Sequence, residues 1–271
     1  MIYLVTALLS EARPLIEYYD LKHDHQSLKI SLYKSDEVVL VVSGMGKIKT
    51  AISTGVVLSK EENIERVVIA DIGIAGAPDK YEIGHLFLVN QIMDESTQRA
   101  YYPDIFVKHS LKEEKLVTAD KPHLNGEDGD YMVDMEASGF FEAANIYLPP
   151  SQIGCLKVVS DHKKNVKLNR EMVSELIRNR MPEMDEYIRS WHSLITDQEK
   201  EILNIDDRQL IVSLKDHLHL TTTQFRQLEK LATKYKIESD NLDILRGFQE
   251  LKARTKNERN GIFERIRTVL R

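Results

Sequence analysis

Over residues 1–165 the apolar positions come as short runs rich in Val and Ile, with stretches of helical period between them. The runs at 2–8, 28–34, 38–43, 67–72, 85–92 and 152–159 predict strands, and the amphipathic stretches 49–61 and 136–144 predict helices. A strand that is apolar at consecutive positions is covered on both faces. The alternation therefore predicts an α/β fold with a mostly parallel sheet between helical layers. Residues 167–195 read as closing helices, with Pro182 at a helix boundary.

After Ile195 the pattern changes. Residues 196–271 contain no proline and no glycine before Gly247. Thr221 and Gln224 form a capping-box pair ahead of Phe225, Leu228, Leu231, Ala232 and Tyr235. A second stripe runs through Leu242, Leu245, Phe248 and Leu251, and a third through Ile262, Ile266 and Leu270. The expected organisation is an α/β domain over 1–195 and an all-α segment over 196–271, the latter packing as a small bundle or against the first domain.

Composition narrows the function. A formal net charge of −6 argues against a nucleic-acid binder. The basic excess at 246–271, eight Lys/Arg against three Asp/Glu, reads as a solvated helix face. Cys155 is the single cysteine, which excludes an internal disulfide and a cysteine-based metal cage, and its apolar neighbours predict a buried thiol. No apolar run approaches the ~20 residues of a membrane span. The N-terminal run lacks the basic start and cleavage site of a signal peptide, so the expected location is the cytoplasm. His23 with His25, and His217 with His219, lack the further ligands of a metal site. No Gly-x-Gly-x-x-Gly follows the first strand, so neither metal nor dinucleotide cofactor is expected.

Glycines cluster where strands are expected to end: Gly44 and Gly46 after one, Gly73 and Gly76 after another. Ligand crevices of open α/β sheets lie beyond the carboxyl ends of strands, where glycine permits sharp turns and close approach. These glycines belong to four ordered stretches. The first is Val5-Thr-Ala-Leu-Leu-Ser-Glu11, and the second is Ser43-Gly-Met-Gly-Lys47. The third is Asp71-Ile-Gly-Ile-Ala-Gly-Ala77 with Ile83-Gly-His-Leu, and the fourth is Val133-Asp-Met-Glu-Ala137 with Lys157-Val-Val-Ser-Asp161. In order and spacing they resemble the nucleoside phosphorylase superfamily, and methylthioadenosine/S-adenosylhomocysteine nucleosidases in particular. The resemblance implies a three-layer, phosphorylase-like mixed sheet flanked by helices.

It also implies a reaction. Cleaving a base–ribose bond develops oxocarbenium-like charge on the sugar and negative charge on the leaving base. The chemistry asks for a general acid at the base, a carboxylate at the sugar and an activated nucleophile. By resemblance Asp161, following Ser160, is the acid that protonates the purine nitrogen, a role that asks for partial burial. Glu136 accepts hydrogen bonds from the ribose hydroxyls while Met135 packs on the sugar. Glu11 matches the carboxylate that deprotonates water in the hydrolytic branch, and Leu8, Gly73, Ile74 and Ser160 are further substrate-binding candidates. The reading is a nucleosidase acting on a purine or modified nucleoside, without cofactor, as a homo-oligomer.

Two departures stand out. Ile74 replaces a Ser or Thr whose hydroxyl contacts ribose or phosphate, which favours hydrolysis over phosphorolysis. Pro122 replaces an aromatic that stacks on the base, and His123, the next residue, is the substitute candidate or a surface-loop histidine. Arg13 could serve an anion, and residues 97–104 form a pocket rim or a subunit contact. The alternatives are a phosphate-dependent phosphorylase and a non-catalytic nucleoside-binding or scaffolding protein.

Overall fold

The chain enters the sheet directly as β1 (Ile2–Thr6), turns into α1 (Leu9–Tyr18), and continues through β2 (Lys22–His23), β3 (Ser31–Lys34) and β4 (Val38–Val42). After α2 (Lys47–Leu58) come β5 (Val68–Gly76), β6 (Leu86–Asp94), β7 (Ala100–Tyr101), β8 (Lys112–Thr118) and β9 (Met132–Asp134). Then follow α3 (Ala137–Ala144), β10 (Ile153–Asp161), α4 (Arg170–Arg178) and α5 (Met181–Ile202). The computed structural model describes residues 1–25, 30–123, 129–164, 168–239, 241–253 and 255–270. Contacts divide the chain into two units, residues 1–195 and 196–271.

All six expected strands form, with shifted ends; residues 28–29 of the second expected strand lie outside the described residues. β5 and β10 extend further than their apolar runs, to Gly76 and Asp161. Gly73 and Gly76 are therefore strand residues and not part of a following turn. The sheet is also more mixed than the apolar runs suggested. β1 pairs in parallel with β4 and β5, and β10 in parallel with β5, but β10 and β6 are antiparallel. From β6 the pairing passes through β8 and β9, and returns to β5 where Gly76 meets Val133. This closes a ring of β5, β10, β6, β8 and β9, and the strand ends that carry the candidate residues converge on it.

Two apolar clusters flank the sheet. Val57 and Leu58 of α2 with Phe140, Phe141 and Ala144 of α3 cover Val5, Val41 and Ile69. On the other face Leu15 of α1, Ile177 of α4, and Met184, Ile188 and Trp191 of α5 cover Leu4, Leu40 and Ile72. Each such side chain contributes about 1.5–3 kcal/mol on burial, so these two seams stabilise the three-layer sandwich. The α2–α3 seam needs Gly139, because a Cβ there would run into the backbone carbonyl of Lys47.

Pro14 lies inside α1 and has no N–H to donate to the Ser10 carbonyl four residues earlier. That carbonyl instead accepts the Ser174 hydroxyl of α4 at 2.6 Å, with Ser10 and Ser174 both buried. Ser174→Ala leaves a buried acceptor unpaired and is expected to destabilise the first unit by about 1–3 kcal/mol, measured as a lower urea midpoint. An unchanged midpoint would remove this account of how α1 and α4 dock.

The second unit contains α6 (Ile205–His217), α7 (Thr222–Ser239) and α8 (Lys256–Val269) around Leu210, Leu214, Leu228, Leu245, Phe263 and Ile266. Thr221 caps α7 as expected: its Oγ1 accepts the Gln224 N–H at 3.2 Å, and its own N–H donates to Gln224 Oε1 at 3.1 Å. The stripe Leu242–Leu245–Phe248–Leu251 differs from expectation. Its core is a 3₁₀ helix, Asp243–Phe248, because a strict three-residue repeat matches three residues per turn and drifts off one face of an α-helix. No helix among the described residues is long and apolar enough to cross a membrane.

Candidate active site

The turn from β1 into α1 is closed by a side chain. Glu11 reaches back so that its Oε2 accepts the N–H groups of Ala7 at 3.1 Å and Leu8 at 2.8 Å, while Oε1 accepts the N–H of Ile74 at 3.0 Å. These bonds tie α1 to β5 and hold a carboxylate that is 3% exposed. Burial pushes the Glu11 carboxyl above the usual range, and Lys157 and the backbone donors oppose that push.

Gly73 is the reason these groups can meet. It lies opposite Lys157 in the β5–β10 pairing. A Cβ on Gly73 would stand 2.9 Å from Glu11 Oε1 and 3.4 Å from Lys157 Nζ. The missing side chain makes room for a buried ammonium, and Lys157 is 1% exposed. Its Nζ donates to Asp71 Oδ2 at 2.8 Å and to Asp134 Oδ2 at 3.0 Å. Burial alone would lower the Lys157 ammonium, but Asp71 and Asp134 outweigh it and keep it charged. Asp134 also accepts the Thr118 hydroxyl at 2.8 Å and the Ala137 N–H at 2.9 Å, which starts α3.

Glu136 is the residue preceding α3. Its Oε1 accepts the Gly46 N–H at 2.8 Å. Burial, then the adjacent Asp134 charge, pushes Glu136 up to about 7. The Gly46 turn is itself anchored: Lys47 Nζ donates to Asp94 at 2.8 Å and to Asp120 at 2.8 Å. Asp94 accepts in addition the hydroxyls of Ser138 at 2.8 Å, Ser96 at 2.9 Å and Thr97 at 2.9 Å. Burial works to raise the Asp94 carboxyl, but Lys47, Ser138 and the Thr97 amide hold it far below the usual range.

Asp161 ends β10 beside Gly76, where a Cβ would lie 3.3 Å from its Oδ1. The half-buried carboxyl accepts the Ser160 hydroxyl at 2.8 Å and the Lys163 N–H at 2.8 Å. Gly76 also pairs with Val133, so the Asp161 end of β10 and the Met135–Glu136 turn lie on either side of one glycine.

The structure thus gathers most of the sequence candidates around β5. Glu11, Leu8 and Ile74 share one set of hydrogen bonds with Gly73 packed against the Glu11 carboxylate, and Glu136 with Met135 and Ser160 with Asp161 flank Gly76. Ile74 enters through its backbone N–H, and its side chain packs against the α1-side apolar cluster. His123 follows β8, with Nε2 at 2.8 Å from Glu95 Oε1. Arg13 is exposed on α1. Sequence reasoning missed the ion cluster of Asp71, Asp134 and Lys157. The available signal was charged residues standing inside otherwise apolar strand segments, since such residues are buried only when paired.

Residues 2–125 match the model of the phosphorylase superfamily. Over those residues the chain is similar to that α/β superfamily. No curated protein matches the sequence, but solved structures do. The 5'-methylthioadenosine nucleosidase of Arabidopsis thaliana superposes with a TM-score of 0.58 at 17% identity, covering 69% of this chain and 95% of that one. The 5'-methylthioadenosine/S-adenosylhomocysteine nucleosidase of S. pneumoniae, solved with a transition-state inhibitor, gives 0.56 at 16%, covering 71% and 99%. The nucleosidase of Colwellia psychrerythraea, solved with adenine, gives 0.53 at 16%, covering 72% and 95%. More particularly, then, this chain has the fold of the methylthioadenosine nucleosidases over about seven-tenths of its length.

Proposed function

We propose that the chain is a nucleosidase, an N-ribosyl hydrolase that cleaves the base–ribose bond of a purine or modified nucleoside with water as nucleophile. The observation that carries this reading is the convergence of Glu11, Glu136 and Asp161 around β5, in surroundings rich in buried carboxylates. A carboxylate has about four acceptor positions. Three of those on Glu11 are taken by Ala7, Leu8 and Ile74, which aims the carboxylate and leaves acceptor capacity for a water proton. Its raised affinity for protons suits a general base.

In the reaction, Glu136 accepts hydrogen bonds from the ribose hydroxyls and faces the growing positive charge of the sugar, against which Met135 packs. The C–N bond breaks with its electron pair going to the base, and Asp161 gives a proton to the purine nitrogen. Water bonds to the sugar carbon as Glu11 takes its proton. His123 is a candidate for the base end of the pocket. The negative surroundings favour a cationic transition state over an incoming phosphate dianion, as does the turn of the Ile74 side chain into the apolar layer.

The same reading takes the chain to be a cytoplasmic homo-oligomer. Met45, Ile48 and Ile52 are exposed at and along the start of α2, an apolar stripe that a second copy would cover.

Incubation without phosphate with methylthioadenosine, inosine and adenosine, followed by chromatography for free base, tests the activity. Base release is the expected outcome. Release only after phosphate is added would make the chain a phosphorylase and remove the role given to Glu11. No release with or without phosphate would leave a nucleoside-binding or scaffolding protein.

A further inference from the structure

Lys157 is a buried ammonium that the proposed reaction does not use. It projects from β10 into the gap left by Gly73 and is clamped between Asp71 of β5 and Asp134 of β9. The other ionisable groups facing it are Glu11 from α1, Glu136 at the start of α3 and the Cys155 thiol, whose Sγ lies 3.8 Å from Asp71 Oδ2. Carboxylates from four separate elements therefore share this cation in a low-dielectric interior. There a change of charge at one is felt by the rest.

We propose that Lys157, held by Asp71 and Asp134, is a positioning residue that sets the charge states of Glu11 and Glu136 together from behind the pocket, without touching substrate. The inference rests on the nucleosidase reading only for the use to which those charge states are put. Two aspartates absorb most of the attraction of one ammonium, and the remainder decides whether Glu11 and Glu136 hold or release their protons. Without the lysine both glutamates would hold their protons more tightly, and a protonated carboxyl is a poor acceptor for a water proton or a pair of hydroxyls. Without Asp71 the lysine would hold both as carboxylates at lower pH. The directions agree with the electrostatics at Glu136, where Lys157 favours the carboxylate while Asp134 and Asp71 disfavour it.

The test is a ¹³C-carboxyl NMR titration of the full chain, with the Glu136 signal identified by its loss in Glu136→Gln. In Asp71→Asn, which preserves shape, the Glu136 midpoint is expected to fall by about one unit, the usual effect of a neighbouring charge. In Lys157→Met it is expected to rise, and Lys157→Arg should restore it towards the wild-type value. Opposite shifts from two buried substitutions are not produced by loss of packing. An unmoved midpoint in Asp71→Asn overturns the inference, and this variant decides the matter should Lys157→Met not fold. The pH profile of base release, taken in parallel, separates the two readings. Shifted midpoints in a protein that releases no base uphold the role of Lys157 and sink the nucleosidase. Base release with unmoved midpoints does the reverse.

Discussion

Asp161→Asn is expected to lower base release by about 10²–10⁴-fold, the usual contribution of a positioned general acid. The substitution is close to isosteric. Asn can still accept the Lys163 N–H, and its amide can donate to the Ser160 hydroxyl, so the end of β10 keeps its bonds. What it loses is a proton to give to the departing base. Rates with methylthioadenosine, together with the melting temperature of each protein, check the expectation. A folded variant with an unreduced rate would show that the base is protonated from elsewhere. A partial loss confined to substrates with poor leaving bases would agree with the role, since good leaving groups need less help from an acid.

Glu136→Gln is expected to change stability in a pH-dependent way. In the folded chain Glu136 is pushed up to about 7 from an ordinary 4.5, by burial first and by Asp134 second. A carboxyl raised on folding binds its proton more tightly in the native state. Its contribution is fully present below about pH 4.5 and is lost as pH rises to about 7. The span amounts to about 3 kcal/mol. Glutamine has no such titration, so the variant should gain stability relative to the wild type by up to that amount between pH 4.5 and 8. Urea denaturation of both proteins across this range checks it, and parallel pH dependences would refute it. The same titration predicts that base release by the wild type rises with pH through about 7, because only the carboxylate accepts from both ribose hydroxyls. The site is thus held at some cost to stability near neutral pH, as expected where charge is buried for function.

Several features followed from local sequence alone. Continuous Val/Ile runs marked β1, β3, β4, β5, β6 and β10, and helical stripes marked α2 and α3, since burial on both faces of a central strand selects such runs whatever their partners. The glycine positions and the resemblance of the four ordered stretches marked Glu11, Glu136 and Asp161 as candidates, because those stretches are local in the chain. The strict three-residue repeat at Leu242, Leu245 and Phe248 also carried its 3₁₀ conformation, though reading it as α obscured this.

Tertiary structure decided the rest. β8 begins Lys-Glu-Glu-Lys and β9 has three residues, so neither has enough apolar periodicity to mark it. Both are strands because β6 and β5 supply hydrogen-bonding edges for them. That pairing closes the ring and brings Asp134 over β5. Asp71 and Lys157 lie 86 positions apart in the chain, and each alone is a charge misplaced in an apolar strand. Only parallel register, with Gly73 opposite Lys157, turns them into an ion pair. The sequence by itself marked the candidate residues. The fold decided the charge around them, because electrostatic environment depends on distance in space and on burial, and neither is a property of neighbours along the chain.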